Sequence, residues 1–140
     1  MALDSKASAH WEGDLMSGKG TATLASGAAA SFDVDWKARS EESGGKTSPE
    51  ELIAAAHATC FSMSLSHALG QAGTPPDHLD VSAIATFVPG QGITGIALSL
   101  AGNVPGLSDE EFAKAAETAK ANCPVSKALA NNVPISLEIA

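Results

Sequence analysis

Tyrosine is absent from this chain of 140 residues, and the other aromatics amount to two tryptophans and four phenylalanines. Alanine, leucine, valine and isoleucine must therefore fill the core. A core of such small side chains often needs a second copy to bury enough apolar area, so a homodimer is expected. Cations are scarce as well: eight Lys and Arg face sixteen Asp and Glu, for a net charge of −8. That balance lacks the basic surface that neutralises nucleic-acid phosphates or anionic lipid, and neither is an expected partner. The stretch from Met1 to Lys6 has no basic segment followed by an apolar one, and no apolar run reaches membrane-spanning length. These features point to a soluble, cytoplasmic protein.

Cysteine is the next scarcity. Two are too few for the disulfide framework of a small secreted domain, whereas in a reducing compartment such a pair is metal-binding, redox-active or simply buried. Function must be argued at Cys60 and Cys123.

The length fits one domain, residues 1–140, with no low-complexity segment. Residues 8–38 alternate loosely and are cut by Gly13, Gly18, Gly20 and Gly27, which suggests three short strands. The third, Ser31 to Lys37, alternates most cleanly. After a polar loop, Ser48-Pro49-Glu50-Glu51 has the form of a capping box with proline at the first helical position. The helix it opens runs to about Leu69. Its middle, Ala54 to Leu65, carries no formal charge, which predicts burial on most sides. Residues 79–88 and 93–101 read as strands joined at Pro89-Gly90-Gln91-Gly92. Ser108-Asp109-Glu110-Glu111 opens another helix to about Ala121, Pro124 starts a short one through Ala130, and Pro134 to Ile139 returns as a strand. This order gives an α+β domain with antiparallel sheet rather than an alternating β/α fold.

The two thiols sit in unlike places. Cys123 precedes Pro124 at a helix start, where unpaired N–H groups favour an anion. Cys60 lies in mid-helix among apolar residues, where desolvation opposes ionisation. Local physics alone makes Cys123 the more acidic thiol and leaves Cys60 as a small buried hydrophobe unless a cation reaches it. Arg39 is the one arginine in the chain; its guanidinium could stabilise a thiolate and hydrogen-bond a peroxide oxygen, or it could be an ordinary solvated charge. Glu50 could complement the helix dipole or orient that arginine. On a continuous helix, however, Glu50 and Cys60 are about 15 Å apart. The helix must then break after its first turn, or the carboxylate must come from a second subunit. His57, one turn before Cys60, could face the same side. It reads as a core or interface histidine, or else as a base for Cys60 or a metal ligand beside both cysteines.

The block from Thr47 to Met63, containing Ser48-Pro49-Glu50-Glu51 and His57-Ala58-Thr59-Cys60-Phe61, resembles the central helix of the OsmC/Ohr hydroperoxide reductase family. Cys123-Pro124-Val125-Ser126 resembles its second cysteine motif, and His10-Trp11-Glu12-Gly13 with Gly18-Lys19-Gly20 is similar to its N-terminal part. The resemblance implies antiparallel sheets around a long buried helix in an intertwined homodimer. It further implies a thiol peroxidase for organic hydroperoxides, with Cys60 as peroxidatic thiol, Cys123 as resolving thiol, and Arg39 and Glu50 completing the catalytic site. Arg39 falls where the OsmC branch carries its arginine. Cys60 would become a sulfenic acid and close a disulfide with Cys123, to be reopened by a lipoyl-type dithiol, with no bound cofactor or metal. The apolar surroundings of Cys60 favour hydroperoxides with hydrocarbon tails. Two rival readings are a non-enzymatic ligand-binding stress protein of the same fold, and a metal site formed by Cys60, Cys123 and His57.

Overall fold

The computed structural model describes residues 5–12, 14–27 and 31–140, so the turn expected at Gly13 lies outside the described residues. Two compact units are present, Met1–Pro49 and Glu50–Ala140.

The N-terminal unit is a three-stranded antiparallel sheet, β1 (Ala7–Glu12), β2 (Lys19–Leu24) and β3 (Phe32–Val34), in that order. Gly20 does not interrupt a strand as expected but lies within β2. A Cβ there would stand 2.7 Å from the Trp11 ring and 2.7 Å from the His10 carbonyl oxygen, so the ring can cross the strand only over a glycine. The strand expected through Lys37 ends at Val34. Asp35 is extended and its carboxylate accepts a 2.7 Å hydrogen bond from the Ala38 N–H, which caps a short helix, α1 (Trp36–Ser40). That local bond overrides the alternating pattern, and Arg39 therefore sits on a helix rather than at a strand end.

The C-terminal unit begins with one unbroken helix, α2 (Pro49–Gln71), with Pro49 in the first turn where its missing N–H is harmless. A hairpin follows, β4 (His78–Val88) and β5 (Gly92–Asn103), then α3 (Asp109–Asn122), α4 (Pro124–Leu129) and β6 (Ile135–Ile139). The hairpin turns on Gly90 and Gly92, whose φ angles of +81° and +91° suit residues without a Cβ. At α3 the expected capping box is present: Ser108 accepts from the Glu111 N–H, and Glu111 reaches back to the Ser108 N–H.

The second sheet has the order β4-β5-β6 and is not wholly antiparallel. β6 pairs parallel to β5, from Ile96 opposite Ile135 to Leu100 opposite Ile139. A parallel return requires a crossover, and the α3–α4 helix pair provides it. The buried residues Leu98 and Leu100 of β5 meet Phe61, Leu65 and Leu69 of α2 and Ala116, Ala119 and Cys123 from the crossover. On α2 the buried stripe His57, Phe61, Leu65, Leu69 repeats every four residues. The expectation that α2 is buried on most sides is corrected for the single chain: full burial is confined to this stripe and Glu50, and Met63 on the other side is 68% exposed.

Candidate active site

Helix α2 carries Cys60 on a partly covered flank beside the buried stripe, and the end of α3 delivers Cys123 into the core. Cys60 packs against the buried cluster that contains Cys123, and the two thiols, although far apart in sequence, shift each other's ionisation. Pro124 cannot continue α3 and suits the first position of a new helix, so the chain turns at Cys123 and brings the Val125 N–H to act on both thiols and the Ser126 N–H on Cys123.

Their environments divide the acidity of the pair. Burial pushes the Cys60 thiol up, and its hydrogen bond to Cys123 pushes it further; the Val125 N–H and the Ser64 hydroxyl oppose this without cancelling it. Burial also opposes ionisation of Cys123, but there the donors win. The Cys60 thiol, the Ser126 N–H and hydroxyl and the Val125 N–H together hold Cys123 below the ordinary thiol range. Cys123 makes no side-chain cap hydrogen bond to α4, so the summed influence of these donors rather than a cap favours its anion. Within the C-terminal unit the shared proton thus belongs on Cys60, in agreement with the acidity order read from local sequence.

Behind Cys123 lies a contact that sequence reasoning did not find. His57 Nε2 is 2.7 Å from Ser126 Oγ, with both residues buried, and the Ser126 side chain in turn favours the Cys123 anion. His57 Nδ1 is buried without a hydrogen-bond partner. Desolvation lowers the His57 pKa and keeps the ring neutral. The signal available in the sequence was helical spacing, since His57 is one turn before Cys60 and Ser126 one turn after Cys123. Among the described residues no group of three His, Cys, Asp or Glu side chains is arranged to hold a metal ion.

The other two predicted residues are Glu50 and Arg39. Glu50, 4% exposed, is in the first turn of α2. Because α2 is continuous, Glu50 stands about 15 Å along the axis from Cys60 of the same chain, and the alternative of a broken helix is removed. Arg39 belongs to the N-terminal unit, where its guanidinium carbon lies 6.0 Å from the centre of the Trp36 ring.

Comparison with known proteins places this arrangement. The family model described as OsmC-like protein matches residues 41–138, a span that holds both cysteines. Peroxiredoxin OsmC of Escherichia coli is 41% identical over 142 aligned positions, covering 99% of each chain. An organic hydroperoxide resistance protein OsmC from Legionella pneumophila has a TM-score of 0.77 at 23% identity, over 100% of this chain and 98% of that one. The organic hydroperoxide resistance protein OhrB of Bacillus subtilis superimposes with a TM-score of 0.71 at 26% identity, over 99% and 98% of the two chains. By sequence over its whole length and by fold, the chain belongs to the OsmC-like protein family.

Proposed function

We propose that this protein is a thiol peroxidase that reduces organic hydroperoxides to alcohols, in stress defence, through Cys60 and Cys123. The observation that carries the reading is the packing of Cys60 against the core cluster that contains Cys123, since a disulfide can form only where the chain brings its cysteines together. The names of the relatives, a peroxiredoxin and hydroperoxide resistance proteins, give the substrate class.

In the first step the Cys60 thiolate attacks the distal peroxide oxygen. The O–O bond breaks, the alkoxide takes a proton and leaves as an alcohol, and Cys60 becomes a sulfenic acid. Burial and Cys123 both oppose Cys60 ionisation, so the step needs a cation to stabilise the thiolate. Arg39, the one arginine of the chain, is assigned that role, with Glu50 orienting it. In the second step the Cys123 thiolate attacks the sulfenic sulfur, the S–S bond forms, and hydroxide departs as water. A dithiol of lipoyl type then reopens the bond by exchange, and the acidity of Cys123 makes it a good leaving group there.

The working form is a homodimer in the cytoplasm, each chain forming one OsmC-like domain over residues 1–140. The apolar flank of α2 that carries Met63, and Ile84 on β4, are left uncovered by a single chain and suit a second copy. The span along α2 supports a Glu50 supplied to each Cys60 by the other subunit. The test is stoichiometric: cumene hydroperoxide should consume two thiols per chain, a lipoyl dithiol should restore both, and Cys60→Ser should abolish turnover. Undiminished turnover by Cys60→Ser would sink the proposal.

A further inference from the structure

The sequence motifs around the two cysteines each contain a side chain the peroxidase reading does not use: His57 in the first and Ser126 in the second. Both are buried, and they meet at 2.7 Å across the α2–α4 contact. A neutral imidazole has one N–H and one lone pair, and here one ring nitrogen, Nδ1, has no partner. An orphaned buried N–H is costlier and rarer than an orphaned acceptor, so the hydrogen belongs on Nε2. The Nε2–H then donates to Ser126 Oγ, and the hydroxyl's own hydrogen is left for Cys123, one turn earlier, whose anion the Ser126 side chain favours.

We propose that His57 and Ser126 are positioning residues for the resolving step, forming a buried donor relay from His57 Nε2–H through the Ser126 hydroxyl to the Cys123 sulfur. The proposal rests on the reading of Cys123 as the resolving thiol. Each bond in such a chain polarises the next, so a histidine that never touches sulfur strengthens the donor that does. The titratable side chain in contact with Cys123 is Cys60, and His57 acts on it through Ser126. The relay moves no proton through the step: the thiolate electron pair makes the S–S bond, the S–O bond breaks, and the hydroxide released from Cys60 is protonated by water. What the relay does is aim Cys123 at Cys60 and keep its sulfur anionic until attack.

The test is a titration with no peroxide present. In a Cys60→Ser background Cys123 is the single thiol, and its thiolate absorbance is followed against pH. Both Ser126→Ala and His57→Leu should raise the midpoint by about one unit. His57→Gln, whose amide N–H can occupy the place of Nε2–H, should keep it within roughly half a unit of the parent. His57→Met supplies a second apolar replacement of adaptable shape if the leucine variant folds poorly. With both cysteines present, a one-unit rise should slow disulfide closure by about threefold at neutral pH, because a tenfold loss of thiolate is partly offset by greater nucleophilicity. An unmoved midpoint in His57→Leu and His57→Met overturns the relay, as does a His57→Gln midpoint that moves as far as theirs. Failure of the peroxidase reading shows separately, as absence of hydroperoxide turnover in the parent protein with the titration shifts intact.

Discussion

Cys60 packs against the core cluster that contains Cys123, and their mutual influence moves the two acidities apart, raising Cys60 and lowering Cys123. A peroxidase that attacks with Cys60 must reverse this order at the first step, and a resolving thiol that is already the better anion then has no further barrier of ionisation to cross.

The first prediction concerns that reversal. Replacing Arg39 by glutamine removes the cation assigned to Cys60 and leaves burial and Cys123 unopposed, so the thiolate forms only at higher pH. The pH profile of Cys60 oxidation by cumene hydroperoxide should shift to alkaline pH by at least about one unit, with a neutral-pH rate at least about tenfold lower. Stopped-flow measurement of the single oxidation step reads both. A profile identical to the parent would remove Arg39 from the site.

A second prediction addresses the uncovered flank of α2. Met63 is 68% exposed in the single chain, where a lysine should change stability by no more than about half a kcal/mol. At a dimer interface the same charge would be buried without a partner. Met63→Lys should therefore convert the protein to a folded monomer in light scattering. An unaltered dimer would place the interface elsewhere.

His57 makes stability depend on pH. Burial lowers its pKa from the ordinary value of 6.5, so below that pH the unfolded chain binds a proton that the folded chain refuses. The contribution is fully present above 6.5 and is lost as pH falls from there through the folded pKa. Urea unfolding between about pH 7 and pH 5 should show stability declining by at most about 1.4 kcal/mol per unit from this one proton. His57→Leu should flatten that slope, and an unchanged slope would assign the decline to other groups.

The capping box at Ser108 offers a purely structural check. Ser108→Ala removes the acceptor for the Glu111 N–H and should cost about 1 kcal/mol in denaturant unfolding. Helix α3 ends at Cys123, so loosening its start should affect disulfide closure less than Ser126→Ala does.

Local signals in the sequence were legible and nonlocal ones were not. The capping box at Ser108, the Pro49 and Pro124 helix starts and the hairpin at Gly90 and Gly92 each depend on a few adjacent residues, and each appears where the residue chemistry requires it. The strand expected through Lys37 failed because one carboxylate, Asp35, capped a helix instead. The parallel pairing of β6 with β5 was hidden, since alternation specifies a strand and a face but not its direction. At the site, the acidity of Cys123 was readable from Pro124, whereas the His57–Ser126 bond joins elements whose packing no local pattern encodes. The one-sided burial of α2 was missed because an uncharged helix looks the same whether its cover comes from its own chain or from another.

The crossover that returns β6 parallel to β5 also carries Cys123, while Cys60 is on the helix that precedes the whole sheet. A bond between them would fasten the first element of the C-terminal unit to the last connection, enclosing β4, β5 and α3 in a covalent ring. By loop entropy alone a ring of that size adds roughly 4 kcal/mol against unfolding. The spent enzyme would then be its most heat-resistant form, and the ratio of spent to ready molecules could be followed as two separate melting transitions. The reducing partner, in turn, would have to open a bond that the fold itself helps to hold shut.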